Sequence, residues 1–183
     1  MTISIHAAIA SSVLAASMCG PSSAQDLTDA ETNFVFATSE ACTDYFFESW
    51  DLAAAADGTG LEFTRLPVGA SFPGPGGTVT SMPVFTTQDG DVFVHENIAV
   101  GRCEVFAGGM SIEPVFNAIA EYVTVEKGFS EVMTPGAQAA EGVTRRRFER
   151  TQDGVVFFIG LSGMPTDGED GDLVAILSFY PDR

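Results

Sequence analysis

The tetrapeptide Thr-Gln-Asp-Gly occurs twice in the sequence, at residues 87–90 and again at 151–154. Both copies separate two apolar runs that are typical of strands, and Asp-Gly between such runs indicates a hairpin turn. Elements of the same type precede the two copies in the same order. The sequence therefore predicts a duplicated unit, which restricts the chain to pseudo-symmetric folds.

The first predicted unit has the order β-α-β-β-β. We expect a strand at residues 33–37 and a helix at 40–57, with Ser39 as the N-cap of that helix. The later strands of this unit are expected at 61–66, 79–87 and 91–96. Glycine and proline dominate residues 73–77, which indicates a connecting loop.

The second predicted unit repeats this order. Its first strand includes residues 105–107, whose Val-Phe-Ala sequence matches 35–37. Ser111 is expected to cap a helix that runs to about Glu126 and is ended by Gly128. The remaining strands are expected at 129–133, 143–150, 155–161 and 173–180. The predicted fold class is α+β, with an antiparallel-rich sheet and two helices packed on one of its faces.

An uncharged apolar run at residues 3–18 is typical of a signal peptide. It is shorter than the roughly 20 residues that a membrane span needs. We expect cleavage after Ala24 and export to the periplasm or the medium, with no transmembrane segment left after removal. The alternative is a lipoprotein anchored through Cys19. The mature single domain, 25–183, would consist of two similar halves at about 33–97 and 98–183.

After cleavage two cysteines remain, Cys42 and Cys103. An even number of cysteines in an exported chain indicates a disulfide bond. We expect Cys42 in the first turn of its helix and Cys103 near the end of the strand that precedes the second helix. The alternative is a pair of unbonded, buried thiols.

The 25 acidic and 8 basic residues give a net charge of −17. All of these residues lie after position 25, so the mature domain keeps the whole charge. A surface of this kind repels nucleic acid and anionic lipid. The expected partner is therefore a protein or a small-molecule ligand.

Sequence motifs of catalysis are sparse. The mature chain contains one histidine, His95, which excludes a metal site with two histidine ligands. Residues 160–164 lack the second glycine of a G-x-S-x-G nucleophile motif. The sequence therefore favours a non-enzymatic binding protein without cofactor or metal. The alternative is a hydrolase of the cell envelope that uses paired carboxylates, which no sequence pattern reveals.

An acidic segment near the C-terminus offers a weak cation site. Its carboxylates come from Asp167, Glu169, Asp170 and Asp172, and carboxylates are the ligands that Ca²⁺ prefers. The segment lacks the spacing of an EF-hand loop. The alternative is an acidic hairpin loop between the last two strands.

The basic residues concentrate on one predicted strand. They are Arg145, Arg146, Arg147 and Arg150, which we regard as a possible anion-binding strand. Alternation on a strand places Arg145 and Arg147 on one face and Arg146, Phe148 and Arg150 on the other. The alternative is a solvated strand whose arginines pair with the abundant acidic residues.

Adjacent aromatic residues on another strand give information about both faces of the sheet. Phe157 and Phe158 must point to opposite sides, one toward the helices and one toward the outer face. An apolar outer face would mark the surface that binds a ligand or partner.

Overall fold

A computed structural model describes residues 26–49, 51–56, 60–72, 78–79, 84–133, 142–167 and 170–181. The expected signal peptide and the expected loop at 73–77 lie outside these residues, as do Gln25, Cys19 and Glu169.

The elements follow the chain in two groups. Helical residues come first, as α1 (Asp29–Phe36), a π-helical turn (Ala37–Ala41), α2 (Cys42–Asp44), a second π-helical turn (Tyr45–Ser49) and α3 (Leu52–Ala56). The strands that follow are β1 (Phe63–Arg65), β2 (Ser71–Phe72), β3 (Thr78–Val79), β4 (Val84–Thr87), β5 (Val92–Asn97) and β6 (Arg102–Ser111), with a 3₁₀ turn at Ile98–Val100 before β6. The second group is α4 (Ile112–Val125), β7 (Ser130–Glu131), β8 (Thr144–Gln152), β9 (Val155–Asp167) and β10 (Asp170–Pro181).

The strand predicted at residues 33–37 is wrong, because these residues are helical. The helix begins at Asp29, where Thr28 and Glu31 form a capping box: the Thr28 hydroxyl accepts the Glu31 N–H at 3.2 Å, and the Glu31 carboxylate accepts the Thr28 N–H at 2.8 Å. Phe34 and Val35 are buried. A short apolar run does not distinguish a buried strand from a buried helical turn.

Two further expectations fail because the helical residues begin at Asp29 and not at Glu40. Ser39 is not an N-cap but lies within the helical residues, where its hydroxyl donates to the Val35 carbonyl at 2.6 Å. Cys42 lies thirteen positions after Asp29 and so is not in the first turn. The Val-Phe-Ala sequence at 35–37 is helical whereas its counterpart at 105–107 belongs to β6, so this match is not structural.

The predicted second helix is present as α4. Ser111 occupies its N-cap position, but the Ser111 hydroxyl makes no capping hydrogen bond, and Gly128, with a φ of 70°, follows the end of the helix. Its buried residues recur at spacings of three and four, at Ile112, Val115, Phe116, Ile119, Ala120 and Val123. The Ser111 N–H donates to Glu31 Oε1 at 2.8 Å, so a single carboxylate serves the N-termini of both helical segments.

Eight strands form one antiparallel sheet in the order β1-β4-β5-β6-β10-β9-β8-β7. β2 and β3 form a separate two-stranded pair. The central pair is β6 and β10, and on either side of it the strands run outward in reverse chain order. The sheet and the helices confirm the α+β class.

Both Thr-Gln-Asp-Gly copies form hairpin turns, as predicted. The first connects β4 to β5 and the second connects β8 to β9. Gly90 and Gly154 each have a φ of 74°, in the left-handed region that glycine adopts without strain. The repeated tetrapeptide therefore marks two hairpins at corresponding places in the sheet.

The two faces of the sheet belong to different apolar clusters. We call inner the face whose strand residues share one large buried cluster with helix residues such as Phe34 and Phe116. On the opposite, outer face a small cluster contains Phe72, Val84, Phe93 and Phe106. Phe157 contacts Phe46 and Phe47 of the helical segment whereas Phe158 contacts Tyr180, which confirms that they point to opposite sides.

Cys42 and Cys103 form the predicted disulfide, with their Cα atoms 5.7 Å apart. Cys103 is the second residue of β6, so the expectation that it lies near the end of this strand is wrong. Both cysteines are about 1% exposed. The bond joins the middle of the first helical segment to the inner face of the sheet across 61 residues of chain.

Candidate ligand-binding site

The outer face of the sheet has a cavity of about 320 Å³. Its floor is formed by β6, β10 and β9, whose register places Phe106 beside Val174 and Val174 beside Ser162. Apolar side chains dominate the lining, which consists of Phe106, Ala107, Gly108, Val143, Arg145, Ser162, Met164, Asp172, Leu173 and Val174. A concave, mostly apolar surface with a few polar groups is typical of small-molecule sites.

Arg145 is the member of the predicted anion-binding strand that lines this cavity. It lies opposite Ser162 in the β8–β9 register, and its side chain is exposed. Within the described parts of the chain, no carboxylate forms an ion pair with it. A guanidinium at the cavity rim is therefore available to an anionic group of a ligand.

The other three arginines have intramolecular partners. Arg146 donates through Nε and Nη2 to the two oxygens of Glu131, each at 2.8 Å, and this pairing raises the pKa of Arg146 although burial opposes it. Arg147 pairs with Glu149 at 2.7 Å and lies over the Phe158 ring. Arg150 donates to the Lys127 carbonyl at 2.8 Å and lies over the Phe47 ring.

Asp172 is the residue of the predicted cation loop that lines the cavity. A Cβ at position 108 would lie 3.0 Å from Asp172 Oδ1, so the carboxylate lies directly above Gly108 of β6. Asp170 instead accepts a hydrogen bond from the Ser111 hydroxyl at 3.4 Å. The backbone of Asp167 lies opposite that of Asp170 in the β9–β10 hairpin. Among the described residues, no three acidic, histidine or cysteine side chains are placed to hold a metal ion.

His95 belongs to a polar cluster on the same outer face, on β5. Its Nδ1 lies 3.0 Å from Glu104 Oε2, and Arg102 lies 3.4 Å from the other oxygen of this carboxylate. The hydrogen bond from His95 lowers the pKa of Glu104, although burial opposes this effect. His95 therefore has a structural partner, and it does not line the cavity.

A carboxyl with a raised pKa lies on the other face. Burial raises the pKa of Glu96, and repulsion from Asp51 adds to this effect, whereas interactions with Tyr45 and Arg65 oppose it. Burial, together with the Glu96 carboxylate, raises the pKa of Tyr45 to about 12. Glu96 lies opposite Cys103 on the inner face, so it cannot act on a ligand in the outer cavity.

The sequence did not predict the cavity lining apart from Arg145 and Asp172. Phe106, Ser162 and Val174 come from three strands that are adjacent only through the β6-β10-β9 register. The available signal was alternation on long strands, which assigns residues to faces but does not order the strands.

No helix in the described parts of the chain is long and apolar enough to cross a membrane. Comparison of the chain with protein-family models, with curated proteins and with solved structures finds no significant match.

Proposed function

We propose that this protein is a non-enzymatic, extracytoplasmic binding domain that holds a small ligand in the cavity on the outer face of its sheet. The observation that carries the proposal is the cavity itself, which has an apolar floor and charged groups at its rim. Its volume of about 320 Å³ suits a small molecule rather than a polypeptide segment.

The hydrolase alternative has no specific support. A mechanism with paired carboxylates needs two acidic side chains that face each other across the substrate. In the described lining of the cavity there is one carboxylate, that of Asp172. The carboxyl whose pKa is raised, Glu96, lies on the inner face. We therefore favour binding over catalysis.

The proposal includes an architecture in which both helical segments cover the inner face and the domain consists of two similar halves. The large apolar cluster supports the first part, because it includes Phe34 and Tyr45 of one segment and Val115 and Phe116 of the other. The sheet order and the two Thr-Gln-Asp-Gly hairpins support the second. With the helices on one side, the outer face is left for binding.

The proposed location is the periplasm or the extracellular medium. The Cys42–Cys103 disulfide supports it, because such bonds form and persist in oxidising compartments. Cleavage after Ala24 belongs to the same proposal. Intact mass of exported protein should correspond to a chain that starts at Gln25, whereas a diacylglyceryl mass on Cys19 would show the lipoprotein instead.

A thermal-shift panel tests the binding function. The panel contains amino acids, fatty acids, sugars, nucleobases and aromatic acids, and it is applied to the wild type and to Val174→Trp, which fills the cavity floor. We expect at least one class to raise the melting temperature of the wild type but not that of the variant. An equal shift in both proteins, or no shift with any class, would contradict the proposal.

A further inference from the structure

We propose that the ligand is a small zwitterion with an apolar side chain, such as a free apolar amino acid, held by Arg145 and Asp172. This inference rests on the proposed binding function. Both charged residues are exposed and line the same cavity, and neither forms an ion pair within the described residues. Arg145 would bind the carboxylate of the ligand and Asp172 its ammonium group.

The sheet register sets the separation of the two charged residues. Arg145 is opposite Ser162 on β9, and Asp172 is opposite Met164, so the two lie on either side of β9 and two residues apart along it. Strand geometry then places their Cα atoms about 12 Å apart. Because the Asp172 carboxylate lies over β6, Arg145 has to extend across β9 toward it. Two hydrogen bonds of about 2.8 Å, with the adjacent charged groups of an amino acid between them, then fit the gap.

The position of the Asp172 carboxylate is defined by its surroundings. The Asp172 carboxylate lies above Gly108, where a side chain would meet it at 3.0 Å. Between the two charges, Ser162 supplies a hydroxyl, and Phe106 and Val174 supply apolar surface for a side chain. The cavity thus offers one site for each part of an apolar amino acid.

The net charge of −17 distinguishes a zwitterion from an anion. A purely anionic ligand would be repelled by the rest of the surface, whereas a ligand of zero net charge would not. A purely cationic ligand would place its positive charge in the same cavity as the Arg145 guanidinium, which would repel it. A zwitterion satisfies both rim charges.

The test is calorimetric titration with three matched probes: L-leucine, 3-methylbutylamine, which lacks its carboxylate, and 4-methylpentanoate, which lacks its ammonium group. We expect L-leucine to bind wild type about 10- to 100-fold more tightly than either analogue. In Arg145→Gln the preference over the amine should disappear. In Asp172→Asn the preference over the acid should disappear.

Two control variants change the net charge equally but lie outside the cavity. Arg146→Gln removes a cation from the opposite face of the same strand, and Asp153→Asn removes an anion from the β8–β9 turn. Both should leave the affinity for L-leucine within about twofold of wild type, well below the effect of a lost charged hydrogen bond. Equal losses in Arg145→Gln and Arg146→Gln would overturn the assignment.

Failure of this inference can be told apart from failure of the binding function. If an analogue binds as tightly as L-leucine, or if L-leucine, L-phenylalanine and L-methionine all fail to bind, the zwitterion is wrong. The binding function still stands in that case if another class in the panel stabilises wild type but not Val174→Trp. If no class does so, both are wrong.

Discussion

The inner and outer faces of the sheet are formed by the same strands but differ in the burial and charge of their side chains. On the inner face Phe148 and Ile159 are completely buried, in one cluster with helix residues. On the outer face, charged side chains lie beside a cavity, and Arg145 and Asp172 have no ion-pair partner in the described part of the chain. Alternation along each strand thus separates residues of the large inner cluster from residues that line the outer cavity.

Neighbouring positions on β8 give the largest expected contrast between the faces. Phe148→Ala should lower the free energy of unfolding by about 3–5 kcal/mol, because it leaves a cavity in the inner cluster. Arg147→Ala, one residue away on the outer face, should cost about 1 kcal/mol or less, because its ion pair is partly exposed. Urea unfolding measures both. Similar losses for the two variants would contradict the division between faces.

The disulfide is the next strongest contribution to the inner face. Cys103→Ser should lower stability by about 2–4 kcal/mol without abolishing the fold, because the apolar cluster remains. Denaturant unfolding of the oxidised wild type, the reduced wild type and the mutant checks this. The double variant Cys42→Ala/Cys103→Ala controls for the thiol left unpaired. Equal midpoints for all, or two free thiols titrated in protein from an oxidising compartment, would refute it.

Glu31 provides a pH-dependent test of the helical layer. Burial alone would raise its pKa, but hydrogen bonds from Thr28 and Ser111 lower the pKa below the usual value of 4.5. A lowered carboxyl pKa stabilises the fold above pH 4.5, and this stabilisation is lost as the pH falls through the folded-state pKa. Glu31→Gln should therefore cost about 1–2 kcal/mol at pH 7 and progressively less in acid.

The control for Glu31 is Glu131, whose pKa is also lowered, by its pairing with Arg146. Its side chain is 47% exposed, so Glu131→Gln should cost no more than about 0.5 kcal/mol at pH 7. Melting temperatures at pH 7 and pH 3 compare the two variants. A loss for Glu31→Gln that does not change with pH would show that the carboxylate charge is irrelevant.

The smallest expected effect has the opposite sign. Because burial raises the pKa of Glu96, ionisation of this carboxyl destabilises the fold above its usual pKa of 4.5. Glu96→Gln should raise the melting temperature by about 1–2 °C at pH 7 and leave it unchanged at pH 4. A fall in the melting temperature at pH 7 would instead show that the ionised carboxylate stabilises Tyr45 and its surroundings.

Local turn chemistry made the hairpins predictable. Asp-Gly at 89–90 and 153–154 determines the turn, and alternation then assigns Phe157 and Phe158 to opposite faces. The start of the first helix was mispredicted because the apolar, aromatic run at 34–37 fits either a strand or a helix. The correct signal was Thr28 followed three residues later by Glu31, a capping box.

The candidate site was only partly predictable, because it depends on contacts between distant residues. The excess of acidic residues led us to consider ion pairs for the arginines of β8, and Arg146 and Arg147 form them. It gave no reason to expect that Arg145 would have no ion pair among the described residues. Asp172 was grouped with its neighbours in sequence as a cation loop. In the fold Asp172 lines the cavity, whereas Asp170 accepts a hydrogen bond from the Ser111 hydroxyl.

The most direct test of the division between the faces is a two-dimensional ¹H–¹⁵N NMR titration. The wild type is titrated with each compound that raises its melting temperature in the panel. We predict that the largest chemical-shift changes occur at residues 106–108, 162, 164 and 172–174, which line the cavity. Amides of α4, whose buried side chains belong to the large inner cluster, should change little. Changes that are largest in α4, or equal on both faces, would contradict it.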